Sequence, residues 1–335
     1  MTSRSASRPL RVHIENSRAL QPVFIVQPHQ LDAALARHAD LAPRVRITIG
    51  FDGENYEDLI RDADALIGYR FAWQALRRQA PALKWIQVLG AGVDYMAPFD
   101  WLPPGIVLTT NSGAHVAKAA ESATMALLML NAGMPELIAS QRRRVWNRRF
   151  TTVIAGKRLL LVGVGHIGGA VADRTAALGM EVIGIRRSAR PHPSVHRMHS
   201  PEALPALLPD ADFVLLCAAL TPQTRHLMGA DEFARMKPGA GFINLSRGGL
   251  VDLQALCAGL AAGRPGGAIV DVTAPEPLPP DSPIWDTPGL VITPHVLSDD
   301  LEGYIPATLD IFFDNVRRHL EGRPLRNVVD LERGY

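Results

Sequence analysis

"LLLVGVGHIGGAVADRTAALGMEVIGIRRSAR", residues 159–190, is the stretch whose reading decides the fold. The apolar run before Gly163 has the length of a buried strand, "AVADRTAALGM" has helical spacing, and "EVIGI" is a second strand. Glycines 163, 165 and 168 stand where the first strand must turn into the helix. Gly163 permits the tight turn, Gly165 lets the backbone approach a pyrophosphate, and Gly168 lets the helix pack close to the strand. The helix N-terminus, with its unpaired N–H groups, faces the phosphates. A lone G-x-G-x-x-G match is a weak signal; between this strand and this helix it is a strong one.

The alternation extends in both directions. Before Asn111 lie the strand candidates "LRVHI", "VRITIG", "ALIGY", "WIQVL" and "IVLTT". After a long apolar helix come "RLLLVG", "EVIGI", "DFVLLC", "GFINL", "GAIVDV" and "LVITPH", a six-strand doubly wound pattern. The segment 299–322, "DDLEGYIPATLDIFFDNVRRHLEG", has helical spacing and an acidic start that suits a helix N-terminus. It reads as a helix running back to the first domain. The fold class is α/β, with two doubly wound parallel-sheet domains.

Composition narrows the function classes. A chain of 335 residues, 47% hydrophobic, can bury two cores, and a net charge of +2 gives no reason to expect nucleic-acid or membrane affinity. The two cysteines, Cys217 and Cys257, are far apart and form no metal or redox spacing, which suits a reduced, cytoplasmic protein. The opening "MTSRSASRPL" lacks the apolar segment of a secretory signal and reads as a disordered lead-in, with an organelle-targeting peptide as the alternative. The longest apolar run, residues 122–134, is shorter than the ~20 residues of a membrane span and reads as a buried helix.

Further motifs follow in order: "LGAGVDYM" at 89–96, "NLSRGGLVD" at 244–252, "DVTAPEPLP" at 271–279 and "TPH" at 293–295. With the glycine turn, they make the chain resemble the D-isomer-specific 2-hydroxyacid dehydrogenases over nearly its entire length. The basic end of the second strand and the terminal "VVDLERGY" are similar to the glyoxylate/hydroxypyruvate reductase branch. The resemblance implies a Rossmann coenzyme domain, residues 114–298, inserted into a flavodoxin-like substrate domain formed by 1–113 and by a returning helix and tail, 299–335.

It also implies that Arg247, Glu276 and His295 are the catalytic set, and elementary chemistry agrees. Reducing a 2-keto acid requires a cation for the carboxylate, for which the planar guanidinium fork of Arg247 is suited, and an acid for the developing alkoxide, for which His295 is suited. Glu276 would orient the imidazole and favour its protonated form. On the substrate side, "LGAGVDYM" is expected to present the backbone N–H groups of Ala91 and Gly92 to the carboxylate, and Arg70, after the strand "ALIGY", reads either as a second cationic contact or as a surface arginine. On the cofactor side the resemblance implies Gly163, Gly165, His166, Ile167 and Gly168 at the pyrophosphate, Thr224, and Asp271 accepting a hydrogen bond from the nicotinamide carboxamide.

The second strand ends on Arg186, Arg187 and Ser188, where an NAD-binding unit carries an acidic residue for the ribose hydroxyls. Arginine binds a 2′-phosphate instead, so the expected cofactor is NADP(H); NAD(H), with both arginines in solvent, is the alternative. One departure from the family stands after the catalytic histidine: "HVLSDDLEG" places Leu297 where small residues are usual, which would narrow the nicotinamide pocket. Asp299 and Asp300 read as caps of the next helix, with no metal site. His192, His196 and His199 lie in a proline-broken stretch and read as a solvated loop near the adenosine. "QRRRVWNRRF", 141–150, has five arginines among aromatics; the reading is a solvated or dimer-forming segment rather than a nucleic-acid contact.

The expected function is NADPH-dependent reduction of glyoxylate or hydroxypyruvate to the (R)-2-hydroxy acid by a homodimer. A phosphoglycerate dehydrogenase is the enzymatic alternative, disfavoured by the short tail after the last helix. A dinucleotide-sensing binding protein or corepressor on the same fold is the non-enzymatic one.

Overall fold

The computed structural model describes residues 8–335. Residues 1–7, most of the expected lead-in, lie outside the described residues. The chain divides into two compact units: one runs to Ala114 and resumes over Asp300–Tyr335, and the other is His115–Asp299.

The first unit begins as β1 (Leu10–Asn16), α1 (Pro28–Arg37), β2 (Val45–Phe51), α2 (Tyr56–Arg61), β3 (Ala65–Gly68), α3 (Leu76–Gln79), β4 (Trp85–Val88) and β5 (Val107–Thr109). Every pairing is parallel and the order is β2-β1-β3-β4-β5, the flavodoxin arrangement. β3 and β4 are buried at every residue, which is why they read as unbroken apolar runs. Arg70 and the Ala91–Gly92 pair follow the C-terminal ends of β3 and β4, the edge at which open α/β sheets bind ligands.

The second unit contains α4 (Val116–Asn131), α5 (Met134–Arg142), β6 (Arg158–Val162), α6 (His166–Ala177), β7 (Glu181–Ile185), β8 (Arg197–His199), α7 (Leu204–Leu207), β9 (Phe213–Leu216), α8 (Ala230–Arg235), β10 (Gly241–Asn244), α9 (Leu253–Ala261), β11 (Gly267–Val270) and β12 (Leu290–Ile292). Its sheet has seven strands, ordered β12-β11-β10-β9-β6-β7-β8, where the sequence pattern predicts six. The additional strand is β8, inside the histidine stretch expected to be a loop. It pairs Arg197, Met198 and His199 with Ile183, Gly184 and Ile185. Three half-polar residues on a sheet edge carry no apolar run, so only the neighbouring strand reveals them.

Back in the first unit, α10 (Tyr304–Leu320) closes the core. Tyr304, Ile305, Leu309, Phe312, Phe313 and Val316 are buried with Val12, Ile14 and Trp85, and Phe312 stacks on Trp85 with ring centroids 5.2 Å apart. Emptying such a ring site costs about 3–5 kcal/mol. The expected acidic cap is absent. The helix starts at Tyr304 behind Gly303, with no side-chain cap. Asp300 instead accepts from the Glu302 N–H, and Asp299 faces His115 in the second unit. A tight turn between the aspartates and the helix diverts both carboxylates.

Among the described residues no single helix is long and apolar enough to cross a membrane; α4 and α5 reach that composition only as a pair bent by 65°.

Candidate active site

The glycine turn is held by sterics at two positions. Gly163 has φ +101°, and a Cβ there would lie 2.6 Å from the backbone of Cys217 and Ala218. A Cβ on Gly168 would lie 2.1 Å from the Gly163 carbonyl oxygen, so only glycine lets α6 start this close to β6. Around Gly165, by contrast, a Cβ would meet nothing within 4 Å, leaving open space at the N-terminus of a twelve-residue helix. His166, the first residue of α6, is exposed; Ile167 is half-buried against the sheet core.

β7 ends at Ile185, and the Arg186 N–H donates to His199 O of β8 at 2.9 Å. Edge strand β8 thus fixes the backbone from which the Arg186 side chain leaves. Arg186 is half-buried, while Arg187 and Ser188 are exposed. The three histidines do not converge: His192 Nδ1 accepts from Ser194 N, His196 Nδ1 accepts from Val182 N, and His199 lies in β8. Thr224 is turned inward, its hydroxyl donating to Ala219 O and accepting from Thr221 N, each at 2.8 Å.

The three residues carrying the expected acid–base chemistry do converge. Asn244, fully buried at the end of β10, donates to Arg247 O and accepts from Ser246, stapling the turn that presents Arg247. The next residue, Gly248, packs so closely that a Cβ would lie 2.0 Å from Thr273 O. That contact sets the Arg247 turn against the loop after β11. Glu276 lies on this loop, and His295 follows β12. His295 Nδ1 and Glu276 Oε1 are 2.6 Å apart, a short charge-assisted contact. Each group moves the other's titration. The hydrogen bond that His295 donates to the Glu276 carboxylate raises the His295 pKa against the effect of burial, and the same bond lowers that of Glu276. The Arg247 charge acts on both, lowering the two pKa values.

His295 has φ +55°, a left-handed conformation uncommon for a residue with a side chain. Asp271 enforces it. Its backbone carbonyl accepts from His295 N at 2.8 Å, and its carboxylate accepts from Thr293 Oγ1, Val296 N and Leu297 N. The carboxylate expected at the nicotinamide therefore already holds the histidine loop, and its burial raises its pKa. Leu297 packs against the core cluster containing Ala120 and Val164.

His115 is a neighbour that the motifs do not reveal. Its Nδ1 lies 3.2 Å from Ser298 O and 3.4 Å from the Asp299 carboxylate. Burial, with help from the charges of Arg247 and His295, pushes its pKa down to about 4, so this imidazole is neutral at physiological pH. No spacing in the sequence marks it, because its partners are more than 180 residues away. In the first unit, Arg70 is exposed and Ala91 and Gly92 are half-buried. No backbone hydrogen bond engages either the Ala91 or the Gly92 N–H among the described residues.

The family model described as the D-isomer specific 2-hydroxyacid dehydrogenase NAD binding domain matches residues 124–296, more than half of the 335-residue chain. The chain belongs to the D-isomer specific 2-hydroxyacid dehydrogenases. Within that family it is 32% identical over 297 residues to a D-3-phosphoglycerate dehydrogenase of Methanocaldococcus jannaschii, covering 86% of this chain and 55% of that relative. The chain thus spans little more than half the length of that dehydrogenase. It is 31% identical over 287 residues to glyoxylate/hydroxypyruvate reductase B of Escherichia fergusonii, covering 83% of this chain and 87% of the relative. Among solved structures, a D-isomer specific 2-hydroxyacid dehydrogenase from Xanthobacter autotrophicus Py2, in complex with NADPH and MES, is similar with a TM-score of 0.83 and 29% identity. That likeness covers 98% of this chain and 100% of the other.

Proposed function

We propose that the protein reduces a small 2-keto acid, glyoxylate or hydroxypyruvate, to the (R)-2-hydroxy acid with NADPH. The observation that carries this reading is the 2.6 Å contact between His295 and Glu276 within the field of Arg247. The arrangement is a proton donor whose protonated form is favoured, beside a fixed cation. The open space at Gly165 and the helix start at His166 suit a dinucleotide pyrophosphate, with Gly163, Gly168 and Ile167 shaping the turn. Arg186 and Arg187, with Ser188, suit a 2′-phosphate, and the NADPH complex of the Xanthobacter relative supports that choice. Thr224 acts by stiffening its turn.

Bound NADPH supplies the hydride. Arg247 pairs with the substrate carboxylate and polarises the ketone; in the first unit, the Ala91 and Gly92 N–H groups, and Arg70, suit a substrate carboxylate. His295 gives its Nε2 proton to the carbonyl oxygen as negative charge develops there, while Glu276 holds the ring through Nδ1 and stabilises the imidazolium. Asp271 keeps the histidine backbone in place. The purified protein with NADPH or NADH and a panel of 2-keto acids tests this reading: NADPH oxidation with glyoxylate or hydroxypyruvate is the expected result.

A second reading, oxidation of 3-phosphoglycerate, is supported by the likeness to the Methanocaldococcus enzyme. Turnover confined to 3-phosphohydroxypyruvate would select it. NADPH binding without turnover of any keto acid would overturn both and leave a dinucleotide-sensing protein.

We also propose a homodimer formed through the second unit. α4 exposes Met125 and Leu128, and the following segment exposes Trp146 at 92%, Phe150 at 82% and Val153 at 76%. An apolar surface of this kind is a protein-contact surface. Sedimentation at micromolar concentration should give twice the chain mass; a monomer would refute the pairing.

A further inference from the structure

The loop after β4 is pinned by its carbonyls and open at its N–H groups. The Leu89 carbonyl accepts from the Tyr304 hydroxyl of α10 and from Asn111 Nδ2 at 3.2 Å. The next carbonyl, Gly90 O, accepts from the Asn111 backbone N–H at 2.9 Å. The same Asn111 Nδ2 donates to Thr308 Oγ1 at 2.7 Å, and Thr308 Oγ1 donates back to Tyr304 O at 2.7 Å. Asn111, Tyr304, Thr308 and Leu89 are all fully buried.

Peptide planarity turns this network into an aiming device. In a trans peptide the carbonyl and the following N–H point in opposite directions. Fixing Gly90 O therefore fixes the direction of the Ala91 N–H, and fixing Leu89 O does the same for the Gly90 N–H. Both engaged carbonyls lie in this turn, and the Ala91 N–H that Gly90 O aims has no backbone acceptor among the described residues. Asn111 also keeps its Oδ1 buried without a partner among the described residues. A buried acceptor left unpaired is a penalty that folding alone does not reward. The two donor contacts of its carboxamide are what the position retains.

We propose that Tyr304 and Asn111 are positioning residues for the substrate carboxylate: their side chains grip the Leu89 carbonyl and so hold the 89–91 turn, whose Ala91 N–H is aimed at the anion through the engaged Gly90 carbonyl. The ligand chemistry is a planar carboxylate adjacent to a carbonyl. This rests on the functional reading above, in which Ala91 and Gly92 bind that group. α10 returns to the first unit after the whole second unit, so the last helix of the chain controls a substrate loop about 215 residues earlier.

Tyr304→Phe removes only the hydroxyl, and Asn111→Ser removes the carboxamide. The probes are glyoxylate, oxalate as a non-reacting carboxylate, and NADPH. Losing a positioning hydrogen bond should raise the KM for glyoxylate and the Kd for oxalate about tenfold, leave kcat within about twofold, and leave the Kd for NADPH unchanged. A purely structural role would lower the melting temperature without changing oxalate affinity, and that result overturns the proposal. If Asn111→Ser does not fold, Tyr304→Phe alone decides. Wild-type protein that binds oxalate and reduces glyoxylate, with an unaltered Tyr304→Phe variant, sinks the positioning role only. Wild-type protein that reduces no keto acid sinks the functional reading and this proposal together.

Discussion

His295→Gln and Arg247→Ala should each lower kcat/KM for the keto acid by about 10²-fold or more while NADPH binding is retained. The first removes the proton donor; the second removes the cation that holds and polarises the substrate. Near-normal rates in either variant would sink the assignment. Glu276→Gln should act through the pH profile. Because Glu276 raises the His295 pKa, the proton needed for reduction is present below that raised value and is lost as pH rises through it. Without the carboxylate the histidine deprotonates at lower pH, so the alkaline limb of reduction moves to lower pH and the acidic limb of the reverse oxidation moves with it. An unmoved limb would show that the 2.6 Å contact does not set the chemistry.

The double variant Arg186→Asp with Arg187→Ala should reverse the cofactor preference. A 2′-phosphate brings about two negative charges at neutral pH, and losing a hydrogen-bonded charged partner costs roughly 1.5–3 kcal/mol, about ten- to a hundredfold in affinity. The new carboxylate adds repulsion against NADPH and supplies an acceptor for the ribose hydroxyls of NADH. The ratio of kcat/KM for the two cofactors, measured at one ionic strength because exposed charges are screened by salt, reads the effect. Wild-type preference for NADH, or an unchanged ratio in the variant, would show that these arginines do not hold a phosphate. Arg186 carries most of the expected effect, since it is half-buried and its backbone is tied to β8, whereas Arg187 is exposed.

The parallel architecture was legible because the central parallel strands are buried on both faces and announce themselves as local apolar runs, as in "RLLLV" and "FVLL". The glycine turn was legible for a similar reason: the close approach of α6 to β6 is a constraint between residues five apart, Gly163 and Gly168, and it is written as residue type. β8 was not legible, since a three-residue edge strand takes its identity from hydrogen bonds to β7. The acidic pair at 299 and 300 misled because helix-capping chemistry and a tight turn use the same residues, and only the backbone path decides between them.

At the candidate site the sequence by itself determined residue types at motif spacing: an arginine before two glycines, a glutamate between prolines, and a histidine at the end of a strand. Only the tertiary structure decided what touches what. It brought Glu276 to 2.6 Å from His295, turned the Asp271 carboxylate onto the backbone of the histidine loop, seated His115 against Ser298, and laid Tyr304 on the Leu89 carbonyl. The physical reason is range. Strand, turn and helix preferences act between residues a few positions apart, and sequence records them as periodicity. Hydrogen bonds and desolvation act over a few ångströms between residues up to 215 positions apart, and they exist only once the sheets have brought those residues together.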